Sequence, residues 1–211
     1  MMRFLSDKCL RFIGGIFLIL AIYFLASAFY IPVKAVIAHS LLETAWHKTL
    51  AGGTNVRPWP WARTWPIARL KVPELGVDQI VLEGDQGNSL AFAPGRNVKT
   101  FYDKSAGLTM ISAHRDTHFR FLKNISMGQY IHLQDETGEV KQYQVEDIQI
   151  VDSRQMGIRA PLKGHWLTLV TCYPFDSLTN NGPLRYVVFA EAVTPQVVNP
   201  EEPTGLTASL I

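Results

Sequence analysis

The sequence predicts an all-β domain, a closed β-barrel of about eight strands with short helices, preceded by an N-terminal transmembrane helix. Three observations predict it. Residues 12–33 run for 22 positions without a charge, and about 20 apolar helical residues cross a hydrocarbon core roughly 30 Å thick. From Ile67 to Val193 the chain breaks into short alternating or β-branched runs separated by Gly, Pro and polar turns, which is strand patterning. Only 18% of the residues are charged, below the roughly 25% of an average soluble chain.

The elements follow in order. Arg3, Lys8 and Arg11 precede the apolar run, which favours a cytoplasmic N-terminus and an exported body. Ala26-Ser27-Ala28 offers a competing reading as a signal-peptide cleavage site. Apolar character continuing through Val33 favours a retained anchor. Residues 34–50 carry Val36, Ile37, Leu41, Leu42, Ala45 and Trp46 at near-helical spacing and predict a stalk that continues the anchor, with His39 and His47 facing solvent. Gly52-Gly53 stops it. Residues 54–66 hold three Pro and three Trp, which excludes a regular helix or strand interior. This stretch is expected to fold as a linker onto the end of the following domain.

Strands are predicted at 67–72, 79–83, 108–114, 130–134, 140–151, 166–172 and 184–193, with a helical turn near 89–92 and another over 118–125 that points Phe119, Leu122 and Ile125 inward. The division is therefore 1–33 cytoplasmic tip and anchor, 34–66 stalk and Pro/Trp linker, 67–193 β-barrel, and 194–211 a mobile tail.

Charge and cysteine content exclude several functions. The net charge is +2, and Arg3, Asp7, Lys8 and Arg11 account for all of it. The rest of the chain is neutral, so no basic face is available for nucleic acid. Two cysteines build neither a disulfide scaffold nor a four-ligand zinc site. Glu83, Asp85 and Asp103 are too scattered to predict a calcium site, and no metal or cofactor is expected. Cys9 precedes the apolar run, so Cys172 is exported without a partner in its own chain. Such a thiol is a bridge to another chain, a reactive group, or an inert buried side chain.

Its company favours reactivity. His114 closes the run LTMISAH, Cys172 closes WLTLVTC ahead of Tyr173-Pro174, and Arg185 opens LRYVVFA. Ends of strands on a rigid barrel hold side chains both fixed and accessible. At its free pKa a thiol is only a few per cent thiolate at neutral pH, so it needs an imidazole to share its proton. An arginine fork can stabilise the oxyanion of acyl transfer. Period-two alternation puts Thr168, Val170 and Cys172 on one face, and Leu167, Leu169 and Thr171 on the other.

Thr168-Leu169-Val170-Thr171-Cys172 resembles the TLxTC signature of sortases, the cysteine transpeptidases of bacterial surfaces. Leu184-Arg185-Tyr186-Val187-Val188 resembles the sortase Arg strand, and Ile111 to Thr117 (ISAHRDT) its His motif. The order His, Cys, Arg agrees, and the likeness extends over about 67–192. The PWPWARTWP stretch and single N-terminal anchor look most like the Gram-negative sortase group. Ala113 stands where Gly often precedes the His, and Arg96 where His often follows Pro-Gly.

The resemblance implies a sortase barrel on the inner membrane, facing the periplasm. It implies cleavage of an exported protein's C-terminal LPxTG-like sorting signal. Cys172 would form a thioester and an amine would resolve it. His114 would serve as general acid and base, Arg185 would hold the substrate carbonyl or the oxyanion, and Thr171 would support the substrate or Arg185 through its hydroxyl. Alternatives are a thiol peptidase with water as acceptor, or a membrane-tethered β-barrel scaffold with Cys172 buried.

Overall fold

The computed structural model describes residues 7–85, 87–97, 107–155, 164–177 and 182–193. Asp103, the first six residues and the expected tail at 194–211 lie outside them. The anchor and stalk are one helix, α1 (Asp7–Leu50), 44 residues long with Pro32 inside it. Pro32 lacks an N–H and removes one hydrogen bond from the ladder without ending the helix. The helix is long and apolar enough to cross a membrane. Phe12, Phe17, Ile19, Tyr23 and Phe24 lie exposed along it.

The C-terminal turns of α1 are seated on the barrel rather than standing free as a stalk. Ala38, Leu42, Ala45, Trp46 and Thr49 are buried, which is one helical stripe. Leu42 and Trp46 pack with Ile80, Leu82 and Ala93. Val36, Ile37 and Leu41, expected on that stripe, are exposed. Glu43 adds a contact by accepting from Arg69 Nη1 at 2.9 Å, and Arg69 also clasps Asp78. The Pro/Trp stretch folds back on the same end. Trp59 meets Phe92 edge to face at 4.9 Å, and Thr64 Oγ1 donates to the Glu83 carbonyl at 2.7 Å.

Eight strands follow: β1 (Pro66–Val72), β2 (Val77–Glu83), β3 (Gly95–Arg96), β4 (Leu108–Ser112), β5 (Tyr130–Asp135), β6 (Val140–Asp152), β7 (Trp166–Cys172) and β8 (Leu184–Ala192). They close in the order β1-β2-β3-β4-β7-β8-β6-β5. Closure leaves no free edge, which removes the hazard of unpaired backbone groups. β4 and β7 run parallel and β7 and β8 antiparallel. The interior is filled by Leu70, Val72, Val81, Ile111, Phe119, Leu122, Ile131, Leu167, Leu169 and Val188. Leu122 comes from a 3₁₀ turn (Arg120–Asn124), with Phe119 at its N-cap position. The expected helix over 118–125 is thus this short turn, with Phe119, Leu122 and Ile125 buried as expected.

β3 is two residues long, where a loop was expected. Gly95 pairs with Leu82 on one side and Ser112 on the other. Its bare α-carbon is required there, because a Cβ would come within 2.3 Å of the Gly84 carbonyl oxygen.

Candidate active site

The parallel pairing of β4 with β7 sets Ser112 beside Val170. Past the last pair the backbone stays in step, since the Ala113 N–H donates to the Val170 carbonyl at 3.2 Å. His114 follows two residues after the end of β4, and Cys172 is the last residue of the neighbouring β7. On the other flank Cys172 pairs directly with Arg185 across β7 and β8. Directly opposed residues of antiparallel strands project from the same face. Ile111 and Ala113 turn into the interior, while Met110, Val170 and Val187 form a cluster on the outer face. Alternation puts Cys172 and Arg185 on that outer face. The fold thus sets Cys172 opposite Arg185 and lays the end of β4, which leads to His114, beside β7.

Cys172 is a free, half-buried cysteine, and His114 is exposed. Arg185 is half-buried, and its Nη1 donates to the carbonyls of Gly182 and Leu184 at 2.7 and 2.9 Å. The guanidinium is held by one corner beside Cys172.

Thr171 lies on the opposite, interior face and is 2% exposed. Its Oγ1 donates to the Ala113 carbonyl at 2.7 Å. The hydroxyl's proton is thus committed to the peptide immediately before His114, while its oxygen keeps its acceptor capacity. The His114 carbonyl in turn accepts from the Phe119 N–H at 3.0 Å.

Four features near the rim carry no signal in the local sequence. His118 lies in a turn, four residues after His114, and is half-buried. Burial is the main cause that pushes its pKa below the usual imidazole value; a bond to the Ala91 backbone opposes this, the neighbouring His114 adds to it, and Asp116 opposes it. A groove of about 450 Å³ between α1 and the barrel, lined by Lys34, His39, Phe92 and His118, opens on the side of His118. Tyr173, Phe175 and Tyr186 form an aromatic trio next to Cys172, with Tyr173 stacked on Tyr186 at 6.1 Å and Phe175 edge-on at 5.1 Å. Burial raises the Tyr186 pKa, and Tyr173 adds to it. Arg115, which follows His114, is buried and donates to the Ser177 carbonyl at 2.9 Å.

Asp116 is not the cap of the following turn, which has no side-chain cap. Glu83 and Asp85 are engaged by neighbours: Arg96 holds Glu83 at 2.6 and 3.0 Å, and Asn97 and Ser112 donate to Asp85 at 2.7 and 3.3 Å. Among the described residues no three His, Cys, Asp or Glu side chains gather as a metal set would.

Comparison with known proteins places this geometry in context. The family model described as "Sortase domain" matches residues 70–193. Sortase D of Bacillus subtilis (strain 168) is 30% identical over 126 residues, which are 59% of this chain and 63% of that protein. The chain thus spans less than two thirds of that relative's length. Among solved structures, a Clostridium perfringens Sortase D5 transpeptidase aligns with a TM-score of 0.52 and 25% identity, covering 72% of this chain and 89% of that one. Sortase A from Corynebacterium diphtheriae aligns with a TM-score of 0.54 and 21% identity, covering 79% and 87%.

Proposed function

The chain belongs to the sortase family, and from that premise we propose that it is a membrane-anchored cysteine transpeptidase acting on exported proteins. The substrate is a chain ending in an LPxTG-like sorting signal, and the acceptor is an amine. The observation that carries the reading is the direct pairing of Cys172 with Arg185, beside the end of β4 that leads to His114.

The chemistry follows from the positions. The Cys172 thiol passes its proton to the His114 imidazole, and the sulfur attacks the carbonyl carbon before the scissile bond. The tetrahedral oxyanion accepts N–H bonds from Arg185; a donor of this kind is worth about 10²–10³ in rate. Collapse breaks the C–N bond, and the leaving amine takes the proton from the His114 imidazolium. The product is a thioester on Cys172. An incoming amine, deprotonated by His114, attacks the thioester, forms the new amide and returns the thiol. General acid–base help of this kind contributes about 10²–10⁴.

Anchoring by α1 keeps the barrel at the membrane. An inner-membrane location facing the periplasm rests on the basic residues before the apolar run, and the Gram-negative placement rests on the PWPWARTWP stretch and the single anchor.

The test is mass spectrometry of the full chain incubated with an LPxTG-type peptide and a small amine. The expected result is an acyl adduct on Cys172 and an amide product, both lost in Cys172→Ala. Turnover by Cys172→Ala would overturn the reading, and an acid product that no amine diverts would point to a peptidase.

A further inference from the structure

Past the ends of β4 and β7 the chain divides into two branches. One turns through Arg115–Phe119 into the 3₁₀ turn, and the other runs from Tyr173 to Ser177. Two basic side chains bridge them. Lys123 Nζ reaches the Asp176 carboxylate at 2.9 and 3.1 Å, but Asp176 is 83% exposed, and water screens such a pair. Arg115 bridges the same branches at 6% exposure, with Nη2 donating to the Ser177 carbonyl. It is the one charged side chain fully buried among the described residues.

A guanidinium withdrawn from water is unfavourable unless its donors are met. The place of Arg115 is therefore fixed by its partners rather than by hydropathy. It sits in the turn closed by the Phe119 N–H on the His114 carbonyl, so whatever holds Arg115 also holds His114.

We infer that Arg115 is a positioning residue that clasps the segment after Cys172 to the turn carrying His114 and so sets the separation of thiol and imidazole. The inference rests on the proposed Cys172–His114 pair. Proton sharing needs hydrogen-bond reach, and a misplacement of about 1 Å can cost about 10²-fold in rate.

The test uses the full chain and two readouts. The first is the pH profile of iodoacetamide alkylation, read at the Cys172 peptide, which needs no substrate. The second is kcat and KM for acyl transfer. Arg115→Met, close in bulk but without donors, is expected to shift the alkylation profile toward that of His114→Ala. It should lower kcat about 10–100-fold with KM within about twofold. Arg115→Lys, which keeps one cationic donor, should fall between Met and wild type, and Lys123→Ala should match wild type. A folded Arg115→Met with the wild-type profile and kcat overturns the inference. Should that variant not fold, Arg115→Lys decides, and a wild-type profile and kcat there overturn it too. Alkylation that ignores His114 altogether overturns the underlying pair. Dependence on His114 with indifference to Arg115 overturns the clasp alone.

Discussion

A threonine hydroxyl fixes the peptide before His114, and its worth is measurable. Thr171→Ser keeps the bond to the Ala113 carbonyl and should retain activity within about twofold. Thr171→Val leaves that carbonyl unpaired in the interior, at about 1–3 kcal/mol. It should lower stability in denaturant titration and kcat about tenfold. His118 supplies a pH signature. Its folded pKa lies below the unfolded value of 6.5, so the unfolded chain binds the extra proton first. Stability from this residue is complete above pH 6.5 and declines as pH falls through 6.5 toward the folded value. His118→Asn should therefore show a smaller drop in melting temperature between pH 7.5 and 5.5, read by differential scanning calorimetry. Neither role was legible beforehand. An arginine one residue after His114 or a histidine four residues after it carries no mark of burial, because burial of Arg115 and His118 depends on Ser177 and Ala91, partners supplied only by the closed fold.

Elements differ in how well local sequence specifies them. β7 and β8 are dense in β-branched and aromatic residues, so their existence and ends could be read directly. β3 could not, because two residues have no periodicity and this strand exists only through its neighbours. Its weak point is steric. Gly95→Ala would drive a Cβ into the Gly84 backbone, which has no flexible side chain to give way. The expected cost is about 2 kcal/mol, visible as a lowered denaturation midpoint with an unchanged slope. The docking face of α1 was half misread for another reason. Val36, Ile37 and Leu41 continue the hydrophobicity of the apolar run, so the pattern there reports two environments at once.

At the scale of the molecule, the barrel and the last turns of α1 share buried surface. A chain starting at Lys34 retains Leu42 and Trp46 on Ile80 and Leu82, whereas one starting at Pro66 bares that patch. Removing a buried Leu or Trp side chain costs about 2–5 kcal/mol. The shorter chain should thus melt about 10 °C or more below the longer one. Equal melting temperatures would show that the helix contributes nothing to the barrel.

Arg185 lies on β8, last in sequence of the described strands, yet β8 is sandwiched between β7 and β6. Until β8 is in place, the flank of Cys172 that faces Arg185 has no partner strand. On the reading proposed above, the thiol gains its guanidinium neighbour only when β8 is inserted between β7 and β6.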